Sequence, residues 1–165
     1  MEKHKIYARH SAVAPESRLP IPFIKQCVKV ALSVEGVNIP CEVSVLITND
    51  AWIRAINNEY RGIDKATDVL SFPMFTFSPP GWQEPGVDAI EPDSGLLPLG
   101  EIVLSAEYVR NQAAQLGQPP EREIAYLTAH SVLHLLGFDH LDEADEKKKM
   151  REHEKCIMRE MGYRA

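Results

Sequence analysis

The spacing of apolar residues changes period several times along this chain, and each change marks an element. Ile24, Val28, Ala31 and Leu32 recur at the spacing of one helix face, which predicts a helix over 21–35 with Gly36 just past its end. Ahead of it, Lys5 to Arg9 reads as a short strand followed by a proline-containing linker. From Glu42 to Thr48 the period drops to two. Val43, Val45 and Ile47 alternate with Ser44, while Leu46 adds a second apolar face. Asn49 or Asp50 then caps a helix from Ala51 to Tyr60 that is expected to bury Trp52, Ile53 and Ile56. Thr67 to Phe72 is a strand halted by Pro73, which puts it at or near a sheet edge.

Residues 74–98 are rich in Pro, Gly and acidic side chains and carry neither period, so they read as a long surface loop, a kind that is often functional or disordered. Strand signals resume at Gly100 to Leu104, and Ser105 caps a helix that ends at Leu116-Gly117. After Pro119 and Pro120, Glu121 to Leu136 is apolar nearly all round, the mark of a central buried helix. A last amphipathic helix over 143–161 turns Met150, Ile157 and Met161 inward and Lys147 to Lys149 outward. There are no internal repeats. The order βαβαββααα predicts an α+β class, a mixed sheet flanked by helices, in a single domain over 1–165.

Composition narrows the class. The chain has 165 residues, 44% hydrophobic and 25% charged, as in an ordinary globular protein able to bury its own core. No apolar run approaches a membrane span, and the charged start Met1-Glu-Lys-His-Lys lacks a signal-peptide core. Cys27, Cys41 and Cys156 form no C-x-x-C pair and read as free, mostly buried thiols in a reducing cytoplasm, Cys156 as a packing residue. A net charge of −6 argues against broad, charge-driven nucleic-acid binding, though a local basic cleft stays open.

The chemistry concentrates in one stretch, His130-Ser-Val-Leu-His134-Leu-Leu-Gly137-Phe-Asp139-His140. Histidines four apart on a helix share a face, about 6 Å apart along the axis. Gly137 stops the helix and lets the chain turn back, bringing His140 toward the same point. Three neutral imidazoles around one open position are the ligand set of a catalytic zinc. The competing reading, core or cap histidines satisfied by hydrogen bonds, must bury two imidazoles among Leu, Val and Ala, which is costly unless something pairs with them. The spacing is also that of the metzincin pattern, but Ser131 stands where the peptidase glutamate would be. Asp139 reads equally as an acceptor orienting an imidazole, as an acid/base, or as a turn aspartate stabilising its own backbone.

Three segments, in the right order, resemble one family. The histidine block resembles H-G-x-L-H-L-x-G-Y-D-H. Asn58 to Pro73 is similar to N-x-x-Y-R-x-x-D-x-x-T-D-V-L-S-F-P, and Leu99 to Ser105 to L-G-D-I-x-I-S. These are signatures of the YbeY family of bacterial rRNA maturation factors. The resemblance implies a zincin-like mixed sheet and a zinc-dependent, single-strand-specific endoribonuclease, acting in 16S rRNA 3′-end maturation and ribosome quality control. It implies His130, His134 and His140 as metal ligands, Arg61 as the functional arginine, and small-subunit ribosomal proteins and assembly factors as partners in the cytoplasm. Two departures stand out: Ser131 replaces a glycine and is expected to set a hydroxyl near the metal, and the 74–98 loop is longer than the family's.

Arg61 beside Gly62 can reach a phosphate, where a guanidinium neutralises developing charge, or can pair with Asp64 or Glu59. Ser71 reads as a phosphate or backbone contact, and Thr67 and Asp68 as shaping the turn into the strand. Lys147 to Lys149 and Arg151, among acidic neighbours, read as a solvated face rather than an RNA contact. Two alternatives to the nuclease remain: a zincin-type metallopeptidase, and a non-catalytic ribosome assembly factor that zinc merely stabilises.

Overall fold

Among the described residues the pattern resolves into four strands and five α-helices in the order expected. A computed structural model of the chain describes residues 3–138 and 144–164. The elements are β1 (Lys5–His10), α1 (Ile21–Val34), β2 (Cys41–Thr48), α2 (Asp50–Arg61), β3 (Val69–Pro73), β4 (Leu97–Ser105), α3 (Ala106–Gln115), α4 (Pro120–Leu135) and α5 (Ala144–Glu160). The four strands form one mixed sheet in the order β1-β2-β4-β3, with β1, β2 and β4 parallel and β3 antiparallel on the edge. Pro73, which lacks the N–H a ladder needs, closes that edge strand.

Alternation along the strands sorts side chains onto two faces. Val43, Val45, Ile47, Ile102 and Leu104 join α1 and α4 in the main core. Val103 and Leu70 face the other way and pack with Ile53 of α2 in a smaller cluster. The helix α2 is narrower than its composition suggests. Asn49 caps it by accepting the Trp52 N–H at 2.9 Å, and because α2 meets the sheet through Ile53, Trp52 lies off the covered face and is 59% exposed instead of buried. Cys156 departs in the same way: it lies on the outer face of α5 and is exposed, whereas Cys27 and Cys41 are buried.

Two glycines fix how closely α4 approaches the sheet. Gly100 has φ +149°, and a Cβ there would sit 2.3 Å from the Phe72 carbonyl oxygen and 2.8 Å from Leu135 Cδ2. Only glycine lets β3, β4 and the end of α4 meet. Gly137, with φ +91°, ends α4 in a Schellman turn, the Phe138 N–H donating to Leu133 O and the Gly137 N–H to His134 O.

The 74–98 segment is not simply a surface loop. Phe77 is buried in the main core, Phe75 and Trp82 pack against it, and the Gly81 N–H donates to Leu136 O at 2.9 Å. Its first turn is thus fastened to the end of α4.

Candidate active-site cleft

The edge strand, the end of α2 and one face of α4 border a cleft of about 910 Å³, which Phe75, Thr76 and Phe77 also line. Arg61, the last residue of α2, lines it, and so do Ser71 of β3 and His130 and His134 of α4. Four of the residues singled out in the sequence therefore meet in one cavity. Asp139 and His140 lie outside the described residues.

The two imidazoles converge. His130 Nε2 and His134 Nε2 are 3.0 Å apart, one helical turn bringing both rings to one point. Two nitrogens bound to one zinc at 2.0–2.1 Å and a tetrahedral angle would be about 3.3 Å apart, about 0.3 Å wider than this pair, which as it stands is at hydrogen-bond distance. Two lone pairs this close repel unless a proton or a cation lies between them. Among the described residues no group of three His, Cys, Asp or Glu side chains is placed to hold a metal.

A carboxylate supports the pair from behind. Glu154 of α5 is buried, at 6% exposure, and its Oε2 lies 2.6 Å from His130 Nδ1. In the tautomer that leaves Nε2 a lone pair, the Nδ1–H donates to Glu154, the arrangement that orients metal-binding histidines. The Tyr126 hydroxyl donates to the other oxygen of Glu154 at 3.4 Å, and its ring stacks on His130. Burial first, then the charge and hydrogen bond of Glu154, push the Tyr126 phenol up to about 12, so it stays a proton donor at neutral pH. Glu154 escaped the sequence reading, yet a signal exists. It falls between Met150 and Ile157 on the inward stripe of α5, where a carboxylate has no reason to be without a buried partner.

Neighbouring residues define what the cleft can do. Asp64 is engaged by Arg54, whose Nε and Nη2 donate to it at 2.8 and 3.1 Å, so it is not the partner of Arg61. Arg61 and Ser71, both donor-bearing side chains, line the same cleft as the histidines, a combination suited to an anion. Asp68 accepts the Val69 N–H at 2.7 Å and the Thr67 hydroxyl at 3.3 Å, shaping the turn as expected. Ser131 contradicts its expectation. It is fully buried, does not line the cleft, and its hydroxyl has no hydrogen-bond partner among the described residues. The next position on a helix is rotated about 100°, which carries it off the histidine face into the core.

Four mixed strands with helices on both faces, and paired imidazoles in a cleft at the sheet edge, define a class of α/β domain with a histidine-centred site. The chain belongs to the YbeY family of endoribonucleases: the family profile described as Endoribonuclease YbeY matches residues 12–162. It is 51% identical over 121 residues to the Endoribonuclease YbeY of Caldicellulosiruptor bescii, covering 73% of each chain. It is 42% identical over 139 residues to that of Lachnoclostridium phytofermentans, covering 82% of this chain and 84% of the relative. The solution structure of TM1509 from Thermotoga maritima is similar in fold, with a TM-score of 0.54 at 20% identity, covering 95% of this chain and 91% of that one.

Proposed function

We propose that this protein is a zinc-dependent endoribonuclease specific for single strands, acting in 16S rRNA 3′-end maturation and ribosome quality control in the cytoplasm. The observation that carries the proposal is the meeting of two Nε2 atoms at 3.0 Å in a cleft that Arg61 and Ser71 also line. Membership of an endoribonuclease family supports the substrate class, and the three-segment resemblance supports the rRNA target and the ribosomal small-subunit and assembly-factor partners. No described helix is long and apolar enough to cross a membrane.

The donor set fits the metal. His130 and His134 would hold it, with His140 as third ligand, and the metal when bound supplies a water acidic enough to give hydroxide near neutral pH. The chain's own residues do the rest. Glu154 keeps the His130 proton on Nδ1 and so keeps Nε2 available. Arg61 donates to the phosphate and steadies charge as it develops. Ser71 adds a neutral donor at the strand edge. Phe75 and Phe77 add apolar surface to the cleft lining. Without a glutamate base, Asp139 or the RNA's own 2′-hydroxyl shares in the proton transfer. A peptidase lacks its base here, since the residue after the first histidine is the core-facing Ser131.

The test is cleavage of defined single-stranded rRNA fragments by zinc-loaded protein. Wild type should cut, His134→Ala should not, and Arg61→Ala should lose about a hundredfold, the scale of one charge-stabilising donor. Equal product from wild type and His134→Ala would overturn the proposal.

A further inference from the structure

Tyr126 lines two cavities. Besides the histidine cleft, it borders a second one of about 440 Å³, lying between α4 and α5. Met158 and Leu116 supply apolar wall there, and Tyr126 is itself 39% exposed. Around the cavity stand Arg122, Arg151, Lys155 and Arg164, four cations in a chain whose net charge is −6. Two carboxylates also border it, and both are buried and occupied. Gln112 and Gln118 donate to Glu123, and His130 and Tyr126 engage Glu154. The cations are held differently. Arg151, Lys155 and Arg164 are exposed, with no ion pair among the described residues, while Arg122 is steadied over the Tyr163 ring and by donating to Arg164 O.

We propose that this second cavity binds a nucleotide of the RNA strand flanking the one held in the histidine cleft. The proposal rests on the endoribonuclease reading of that cleft. The base would lie against Tyr126 and Met158, and the phosphates would meet Arg151 and Lys155. An aromatic face beside cations is how single strands are bound without sequence preference, through stacking and charge. The shared Tyr126 wall makes the cavities neighbours, as a strand occupying both requires. An acidic protein segment would use the cations but has nothing to set against the exposed ring.

The experiment measures binding rather than turnover. A labelled 2′-O-methyl oligouridylate of about 16 nucleotides, the upper range of a single-strand site, is titrated by fluorescence anisotropy at salt from about 50 to 200 mM. Each phosphate contact to a single strand contributes about 0.7 to the slope of log affinity against log salt, so Arg151→Ala/Lys155→Ala should lower the slope by about 1.4. Wild-type affinity should then fall about sevenfold more than the variant's over that salt range. The control is Lys5→Ala/Arg9→Ala, the same change in charge on the far edge strand β1, which should leave the slope unchanged.

A slope equal to wild type in the α5 variant overturns the proposal, as does a slope lowered equally by the β1 control. A polyglutamate peptide whose binding the α5 variant loses, while RNA binding is retained, would reassign the cavity to an acidic partner and also overturn it. Cleavage of unmodified RNA is scored separately. Wild-type cutting with an unchanged slope removes only this proposal, and a lowered slope without cutting removes only the nuclease reading.

Discussion

The most informative perturbation of the site is at a residue that does not line the cleft, Glu154. Replacing Glu154 by Gln keeps the side chain's shape and an oxygen near His130 Nδ1 but removes its charge. At 2.6 Å and nearly buried, the present contact is a charge-assisted hydrogen bond worth about 1.5–3 kcal/mol, against about 0.5–1.5 kcal/mol for a neutral one. The difference, about 1–1.5 kcal/mol, corresponds to about tenfold weaker zinc binding, since only a His130 fixed with its proton on Nδ1 offers Nε2 to a cation. Glu154→Ala removes the acceptor altogether and should approach a hundredfold, the usual upper range for the carboxylate behind a metal-bound histidine. Tyr126→Phe loses only a long bond to the other oxygen and should cost less than about threefold. Competition against a chromophoric chelator reads these affinities directly, with circular dichroism and thermal melts confirming that each variant is folded. Zinc bound by folded Glu154→Gln within twofold of wild type would refute the positioning role.

Other expectations follow from the same contacts. Gly137→Ala places a Cβ at 2.7 Å from the Phe77 carbonyl oxygen at a φ of +91°, so about 1–3 kcal/mol of strain should lower the melting temperature by about 3–10 °C and weaken zinc binding together. Ser131→Ala removes a buried hydroxyl with no partner among the described residues and should raise stability by about 1 kcal/mol, seen as a melting temperature higher by about 2–4 °C. Burial pushes the Cys27 and Cys41 thiols up to about 12, so iodoacetamide at neutral pH should modify Cys156 alone in the native protein and all three after unfolding. Because folding raises those two thiols above their ordinary value of 9, the stability they contribute is complete below that pH and declines as pH climbs toward 12. Alkaline denaturation midpoints that rise over this interval would contradict it.

What could be read from the chain alone was whatever depends on local period and spacing. Strand and helix order, the Asn49 and Ser105 caps, and the convergence of His130 and His134 all follow from residues within a turn or two of each other. The failures share a different cause. Trp52 carries a large apolar ring, but burial depends on which face the sheet covers, and α2 meets the sheet through Ile53. Ser131 sits beside a site residue in sequence yet 100° away around the helix, where it is fully buried in the core. The 74–98 segment has no period because it is held by single contacts, Phe77 in the core and Gly81 on the end of α4, and such contacts leave no repeating trace. Glu154 lies 24 residues from His130, and nothing in local spacing says which helix crosses behind which imidazole. A charged residue on an otherwise apolar stripe does, however, demand a buried partner. The classes able to satisfy it are a cation or an N–H or O–H donor, and a chain with paired helical histidines supplies a ring N–H. Searching inward stripes for a misplaced carboxylate, then asking which donor it must meet, would have linked α5 to the site before any coordinates existed.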